Sequence, residues 1–564
     1  MSRRSRITPD RAVLAGLFVT AAIYCRDLQY DFLLDDIQLI LMNPTVASWH
    51  NLKMIFTTDA FFTQAPKVPI AVSALHYRPI FMLWLMVNQT LFGSILPWWH
   101  LTSLLLHLGV TFLVYKLGVK LLKEPWAAAL AALLFAFHPI HAESVSYVSA
   151  STDLLVALFS IAAFLWYARF REEGASVWYL AGAVLAAALA MLSKETGAML
   201  PWLLAAYEAL REAPSGSRRH WKQWVWTLPF FGVAGAYAVV RTLLFGHNLG
   251  PGPGGSRLAA LADAPLVLAV YLRNLLWSVR LSFFYPVEWA AQWTWFKGAA
   301  LLVLLAIVAL LWRHYRDRPA ARLLLLWTGI LFVPPLMAVS TFVKEDWVHD
   351  RHMYLVSAPL FLLIAALLTE PKVPRKVSVA AGGLILVILS VETALQVPRF
   401  RDGVSIYETA LRAAPRNSLA HRYLAFALSG YGRYDEALRE FRITEELRPE
   451  DPVAYGSCAE TLGEMGRNDE AAAEYEKALR WAPAPTPYRA FLLYRLASIK
   501  VKESDAVASE GYLREAIRIA PDAASYHAIL AEALRRQGRM QEADQQMLVE
   551  AGVQQNLIHS RSPK

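Results

Sequence analysis

The sequence predicts an all-α protein in two parts: a polytopic transmembrane helical bundle of about eleven spans, then a C-terminal α-solenoid. Three observations predict it. The 564-residue chain is 56% hydrophobic with only 18% charged residues and has a mean hydropathy of +0.33, too long and apolar for one soluble domain. Apolar runs alternate with short polar breaks until about residue 395, where the composition changes sharply. Beyond that point the sequence repeats at a period of 34 residues. The expected division is therefore 1–394 for the membrane part and 395–564 for the repeats.

The apolar runs place spans at about 11–29, 100–122, 126–142, 153–170, 177–192, 196–210, 222–244, 297–312, 322–341, 353–369 and 377–394. The first follows a basic start, "MSRRSRITPDR", but has no small-x-small cleavage site, so it reads as a retained anchor. Two further stretches, 78–96 and 265–285, carry Arg78, or Arg273 and Arg280, among aromatics. Those charges suit helices lying at the membrane interface.

Basic residues decide the orientation. With the N-terminus cytoplasmic and eleven crossings, the cytoplasmic segments are "SRRSR", "KLGVKLLKEP", "RFREEG", "REAPSGSRRHWK", "RHYRDRPAAR" and "EPKVPRK". Each carries two or more Lys or Arg, as the positive-inside tendency requires. The formal charge of +9 is thereby accounted for without nucleic acid as a partner. An odd number of crossings puts the repeats on the non-cytoplasmic side of an inner or plasma membrane, together with a first outer loop at about 30–99. Cys25 and Cys458 are the only cysteines, so no disulfide framework or cysteine metal site is expected.

In the tail, Gly432 and Gly466, Ala437 and Ala471, Phe441 and Tyr475, and Pro449 and Pro483 each recur 34 residues apart. Small residues where two helices touch, with Pro after the second, form the tetratricopeptide (TPR) pattern. A looser copy ends at Pro521, another contains Leu534, Gly538 and Ala543, and the helix before Pro415 reads as a half repeat. Such solenoids bind peptides or partners, or serve as dimerising surfaces.

The outer ends of the spans collect ionisable residues. Asp35, Asp36 and Asn43 lie in the first loop, with His76, Tyr77 and Arg78 later in it. The same side holds "HPIHAES" (His138, His141, Glu143), Asp153, "SKETG" (Lys194, Glu195) and "KEDWVHDRHMY" from Lys344 to Tyr354, with Arg351. Charges are costly at membrane depth, so clustering of both signs on one face is a site hypothesis. Zinc at His138 and His141 is disfavoured, because Pro139 interrupts the pair and HExxH is absent. No Walker A loop, GxGxxG fingerprint or nucleophile elbow stands out, and "GHNLGPGPGGS" lacks a phosphate-loop Lys.

"FLLDDIQLILMNPTV", "HYRPIFMLWLMVNQTLFG", "WHLTSLLLHLGVTFLVYKL", "LLFAFHPIHAESVSYVSASTDLL", "LSKETG" and "DRHMYLVSA" occur in that order. This series resembles the transmembrane-and-TPR proteins related to protein O-mannosyltransferases, across essentially the whole chain. Against the commoner Glu-Arg-x-x-Tyr-Leu-Pro-Ser form, Asp350 replaces the Glu and Val356 the Pro. The resemblance implies a GT-C-type glycosyltransferase domain over 1–394. Its donor would be a polyprenyl-phosphate sugar, with mannose one candidate, and its acceptor Ser or Thr of a protein on the non-cytoplasmic side, held by the repeats. By the resemblance Asp35 corresponds to the reacting carboxylate, and Asp36 orients the loop or binds a cation. Arg351 contacts the donor phosphate, and Arg78, His138, His141, Glu143, Asp153, Lys194, Glu195 and Tyr354 join donor or acceptor binding. No cofactor is required by the motifs, and a divalent metal, Mg or Mn, stays open at Asp36. The alternatives are a non-catalytic membrane scaffold whose repeats recruit partners, and a transferase acting on envelope lipid or glycan.

Overall fold

The computed structural model describes residues 8–61, 76–172, 175–211, 220–246, 257–286, 294–339, 346–483, 485–503 and 505–561. The basic segment "SRRSR", most of "REAPSGSRRHWK" and of "GHNLGPGPGGS", and Lys344 lie outside them. Every regular element among the described residues is helical. The chain forms two compact units, one ending at Ala413 and one beginning at Ala414.

Among the described residues of the first unit, seven helices are long and apolar enough to cross a membrane: Pro9–Gln29, Leu96–Leu122, Val148–Phe170, Gln223–Phe245, Pro319–Ala338, Asp350–Leu368 and Arg375–Phe400. An eighth arises if Pro125–Phe137 and Pro139–Ser146, bent by 51°, form one broken span. The remaining expected segments fall on Trp178–Ser193, Leu200–Leu210 and Thr294–His314. Leu200–Leu210 has 11 residues, about 16 Å of helix, about half the thickness of a bilayer core. Among the described residues, seven or eight helices thus qualify by length and composition alone, and the other three expected spans fall on these shorter or partly described helices. The 78–96 stretch contains the helix Pro79–Phe92, which is 14 residues long and packs Phe81, Leu85 and Met86 into a core with Trp99.

Burial separates central from peripheral helices. In Val148–Phe170, 78% of the apolar window is buried, against 6% in Gln223–Phe245 and 11% in Arg375–Phe400. A helix that is apolar all round but exposed faces lipid. The central helix packs on Trp178–Ser193 and Leu96–Leu122, and its N-terminal end brings Asp153 to the site described below.

The breaks between helices follow from local chemistry. At "HPIH", Pro139 cannot continue the helix, and the His138 ring accepts the Ile140 N–H at 3.2 Å, capping the next turn. At "SKETG", Lys194 is extended (φ −159°, ψ 145°) and a 3-10 turn follows over Glu195–Met199. That turn lies so close to the preceding helix that a Cβ on Gly197 would sit 2.7 Å from the backbone of Ala190 and Met191. Only glycine fits there. The sharp turn sends Lys194 and Glu195 to different partners.

The second unit consists of helix pairs: Ser418–Gly430 with Tyr434–Leu447, Pro452–Glu464 with Asn468–Trp481, Pro487–Lys502 with Ala506–Ile519, and Tyr526–Arg536 with Met540–Arg561. Gly432, Gly466 and Gly538 occupy the turns inside three of them with φ of 73°, 76° and 78°, a region that penalises any Cβ. Ala437, Ala471 and Ala543 are fully buried where the helices touch. Between successive pairs Arg442 donates to Glu474 at 2.6 Å, and within its own helix to Glu445 at 2.8 Å. The 34-residue spacing thus marks the turn glycine and the helix–helix contact.

Candidate functional site

The "LLDD" loop holds its two carboxylates in different environments. Leu34 has φ +36°, a left-handed conformation that costs about 1–3 kcal/mol in a residue with a side chain. Asp36 stabilises it. One of its oxygens, Oδ2, accepts the Leu33 N–H at 3.0 Å, and Oδ1 accepts the Ser149 N–H at 2.7 Å and the Ser149 hydroxyl. Asp36 is completely buried, whereas Asp35 is half-buried. Burial pushes the Asp36 carboxyl up to about 7, against the pull of the Ser149 and Leu33 donors. Because only N–H and O–H donors point at its oxygens, Asp36 does not suit a divalent cation, and no step below runs through a metal.

Asp35 faces elsewhere. Its N–H donates to the Tyr147 hydroxyl at 3.2 Å. The Arg351 guanidinium lies over the same tyrosine ring, 5.9 Å from its centroid. Arg351 Nη1 donates to Glu143 at 2.7 Å, and its backbone N–H donates to the other oxygen of Glu143 at 3.1 Å.

Two more ion pairs complete the cluster. Lys194 Nζ reaches both oxygens of Asp153 at 2.6 and 2.7 Å. Arg78 donates Nε and Nη2 to Glu195 at 2.9–3.2 Å, with His76 3.8 Å from the same carboxylate. Burial lowers the Lys194 ammonium; Asp153 opposes this, while Arg78 and Arg351 lower it further, which places the three cations in one another's field. Each retains N–H donors beyond those given to its carboxylate partner, because a guanidinium offers five and an ammonium three. Such donors can receive an incoming anion. The cations come from the residue before the helix Pro79–Phe92, the break after Trp178–Ser193, and the turn opening Met353–Leu368.

The structure therefore brings together Asp35, Arg78, Glu143, Asp153, Lys194, Glu195 and Arg351. It does not bring in the histidines. His138 contacts the Leu275 carbonyl at 3.0 Å through its second nitrogen, and His141 contacts the Phe135 carbonyl at 2.8 Å and Ser357 at 2.9 Å. With both ring nitrogens of each engaged inside the bundle, neither histidine has a lone pair to offer a ligand. Tyr354 is fully buried and bonds His107 at 2.7 Å. Asn43 organises the first loop, its amide donating to Ala60 at 3.0 Å and its oxygen accepting from Thr45 at 2.9 Å. Tyr77 bonds the Phe56 carbonyl at 3.2 Å. Asp350 is tied down by Asn274 at 2.9 Å and Tyr285 at 2.8 Å, which fixes the turn that presents Arg351. The reading of the sequence did not single out Tyr147 and Ser149, although both stand in the quoted "HPIHAESVSYVSAS".

The Asp36 environment carries a testable consequence. Asn at this position keeps one accepting oxygen but turns an NH₂ toward donors on the other side, a loss of about 1–3 kcal/mol. A carboxyl with a raised folded pKa contributes stability that is full below the unfolded value and lost as pH rises through about 7. Asn does not titrate. The thermal stability gap between wild type and Asp36→Asn in detergent should thus narrow from pH 5 to pH 8; a widening gap would contradict this assignment.

These features define a polytopic α-helical membrane protein with a TPR solenoid and a buried ionic cluster at the ends of its helices. A tetratricopeptide-repeat family model matches residues 453–485. Mouse protein O-mannosyl-transferase TMTC4 is 26% identical over 499 residues, covering 78% of this chain and 66% of that protein. Human protein O-mannosyl-transferase TMTC3 is 23% identical over 594 residues, covering 93% and 59%. Among solved structures, ArnT from Cupriavidus metallidurans bound to undecaprenyl phosphate aligns with a TM-score of 0.39 and 13% identity over 87% of this chain and 88% of that one. The chain spans about two thirds or less of the length of these curated relatives. Over most of its own length it resembles the transmembrane-and-TPR proteins related to protein O-mannosyltransferases, as its motifs implied.

Proposed function

We propose that this chain is a GT-C-type glycosyltransferase. It moves a sugar, mannose by the relatives' names, from a polyprenyl-phosphate donor to Ser or Thr of an acceptor protein. The observation that carries this reading is the half-buried Asp35 beside Arg351, within a cluster that also holds Arg78 and Lys194. Asp35 accepts the proton of the acceptor hydroxyl as that oxygen bonds to the anomeric carbon. The bond from this carbon to the donor phosphate breaks, and its electron pair leaves on the phosphate. Remaining donors of Arg351, Arg78 and Lys194 receive that charge. Asp36 keeps the strained loop in shape. The repeats hold the acceptor and raise its effective concentration. The distribution of Lys and Arg supports a cytoplasmic N-terminus, with cluster and repeats on the other side of an inner or plasma membrane.

The test is single-turnover transfer by the purified full chain in liposomes, using polyprenyl-phosphate mannose and a Ser/Thr-containing protein. Labelled protein is the expected product. Label passing only to lipid or glycan would redirect the acceptor assignment, and no transfer would favour a scaffold.

A further inference from the structure

We propose that Tyr147 is the positioning residue that aligns Asp35 with Arg351, an inference that rests on the reading of Asp35 as the base. Tyr147 lies in the extended joint between the short helix Ala142–Ser146 and the turn Val148–Ala150, with φ −98° and ψ 110°. In an extended segment residues i and i+2 share a side. Tyr147 and Ser149 use that geometry to hold the two adjacent aspartates, one each: Tyr147 binds Asp35, and Ser149 binds Asp36. Tyr147 is 2% exposed, and the edge of its ring packs on Phe283, so the hydroxyl has little freedom to move.

Tyr147 also contacts the other side of the reaction. The face of its ring receives Arg351, so this one side chain touches both the residue that takes the proton, through its backbone N–H, and the cation assigned to the leaving phosphate. Its hydroxyl accepts the Asp35 N–H at 3.2 Å. That bond fixes the backbone from which the Asp35 carboxylate projects. Tyr147 itself exchanges no proton with substrate.

Tyr147→Phe removes the hydroxyl and keeps the ring under Arg351. Transfer of mannose from polyprenyl-phosphate mannose by this full-length variant should show kcat lower by about 10- to 100-fold. The donor KM should stay unchanged. Tyr147→Leu, which also removes the ring, should in addition raise the donor KM. Wild-type turnover alongside a normal kcat in Tyr147→Phe would overturn the assignment and leave the proposed function standing. A lowered kcat accompanied by a raised donor KM and a lowered thermal midpoint in Tyr147→Phe would reduce Tyr147 to a packing residue and overturn it equally. Absence of transfer by the wild type would instead refute the underlying reading, and this inference with it.

Discussion

Asp35→Asn should lower single-turnover sugar transfer by a factor of about 10² to 10⁴, the usual cost of losing a general base, while donor lipid remains bound. Asn has nearly the same shape and leaves the backbone N–H bond to Tyr147 in place, so folding is not at issue. Asp35 is half-buried, and its neighbour has both oxygens engaged by the loop and by Ser149. The two adjacent carboxylates are therefore divided by role: one presented, the other consumed in holding a strained turn. Donor binding is checked by co-purification of labelled lipid with the variant. Full transfer by Asp35→Asn would mean that the pair is a structural corner and nothing more.

The second large effect concerns Arg351. Removing a charge-assisted contact to the leaving phosphate should cost roughly 2–4 kcal/mol of transition-state stabilisation. Arg351→Ala alone confounds that measurement, because it leaves Glu143, 2% exposed, without its guanidinium partner. Stranding a buried charge destabilises by about 3–5 kcal/mol. The pair Arg351→Ala with Glu143→Gln removes both charges together. It should regain thermal stability relative to the single variant while transfer stays lost. Recovery of transfer in the pair would reassign Arg351 to a structural ion pair.

Much of this was legible in the sequence, for identifiable reasons. The repeats announce themselves because glycine with positive φ and alanine at a helix contact return in three of the four helix pairs, at Gly432, Gly466 and Gly538 and at Ala437, Ala471 and Ala543. "SKETG" is legible for a similar reason, since Gly197 is required by backbone proximity and the two charges beside it are splayed by the turn. The length of each helix was less legible. Hydropathy does not reveal that a 3-10 turn and Pro201 shorten the run at 196–210 to an 11-residue helix. The histidines entered the candidate site through the resemblance, whereas carbonyls, the Ile140 N–H and Ser357 engage their ring nitrogens. Those partners are set by helix packing, up to 216 residues away. Tyr147 and Ser149 were missed because they reach Asp35 and Asp36 across 112 and 113 residues of chain, a separation that no local pattern encodes.

The most direct test of the central claim, that the ionic cluster is the donor site, is a structure of the full-length chain with polyprenyl-phosphate mannose bound. The phosphate should lie within hydrogen-bond distance of Arg351 and at least one of Arg78 and Lys194, with the anomeric carbon toward Asp35. A phosphate bound away from all three cations would contradict the account.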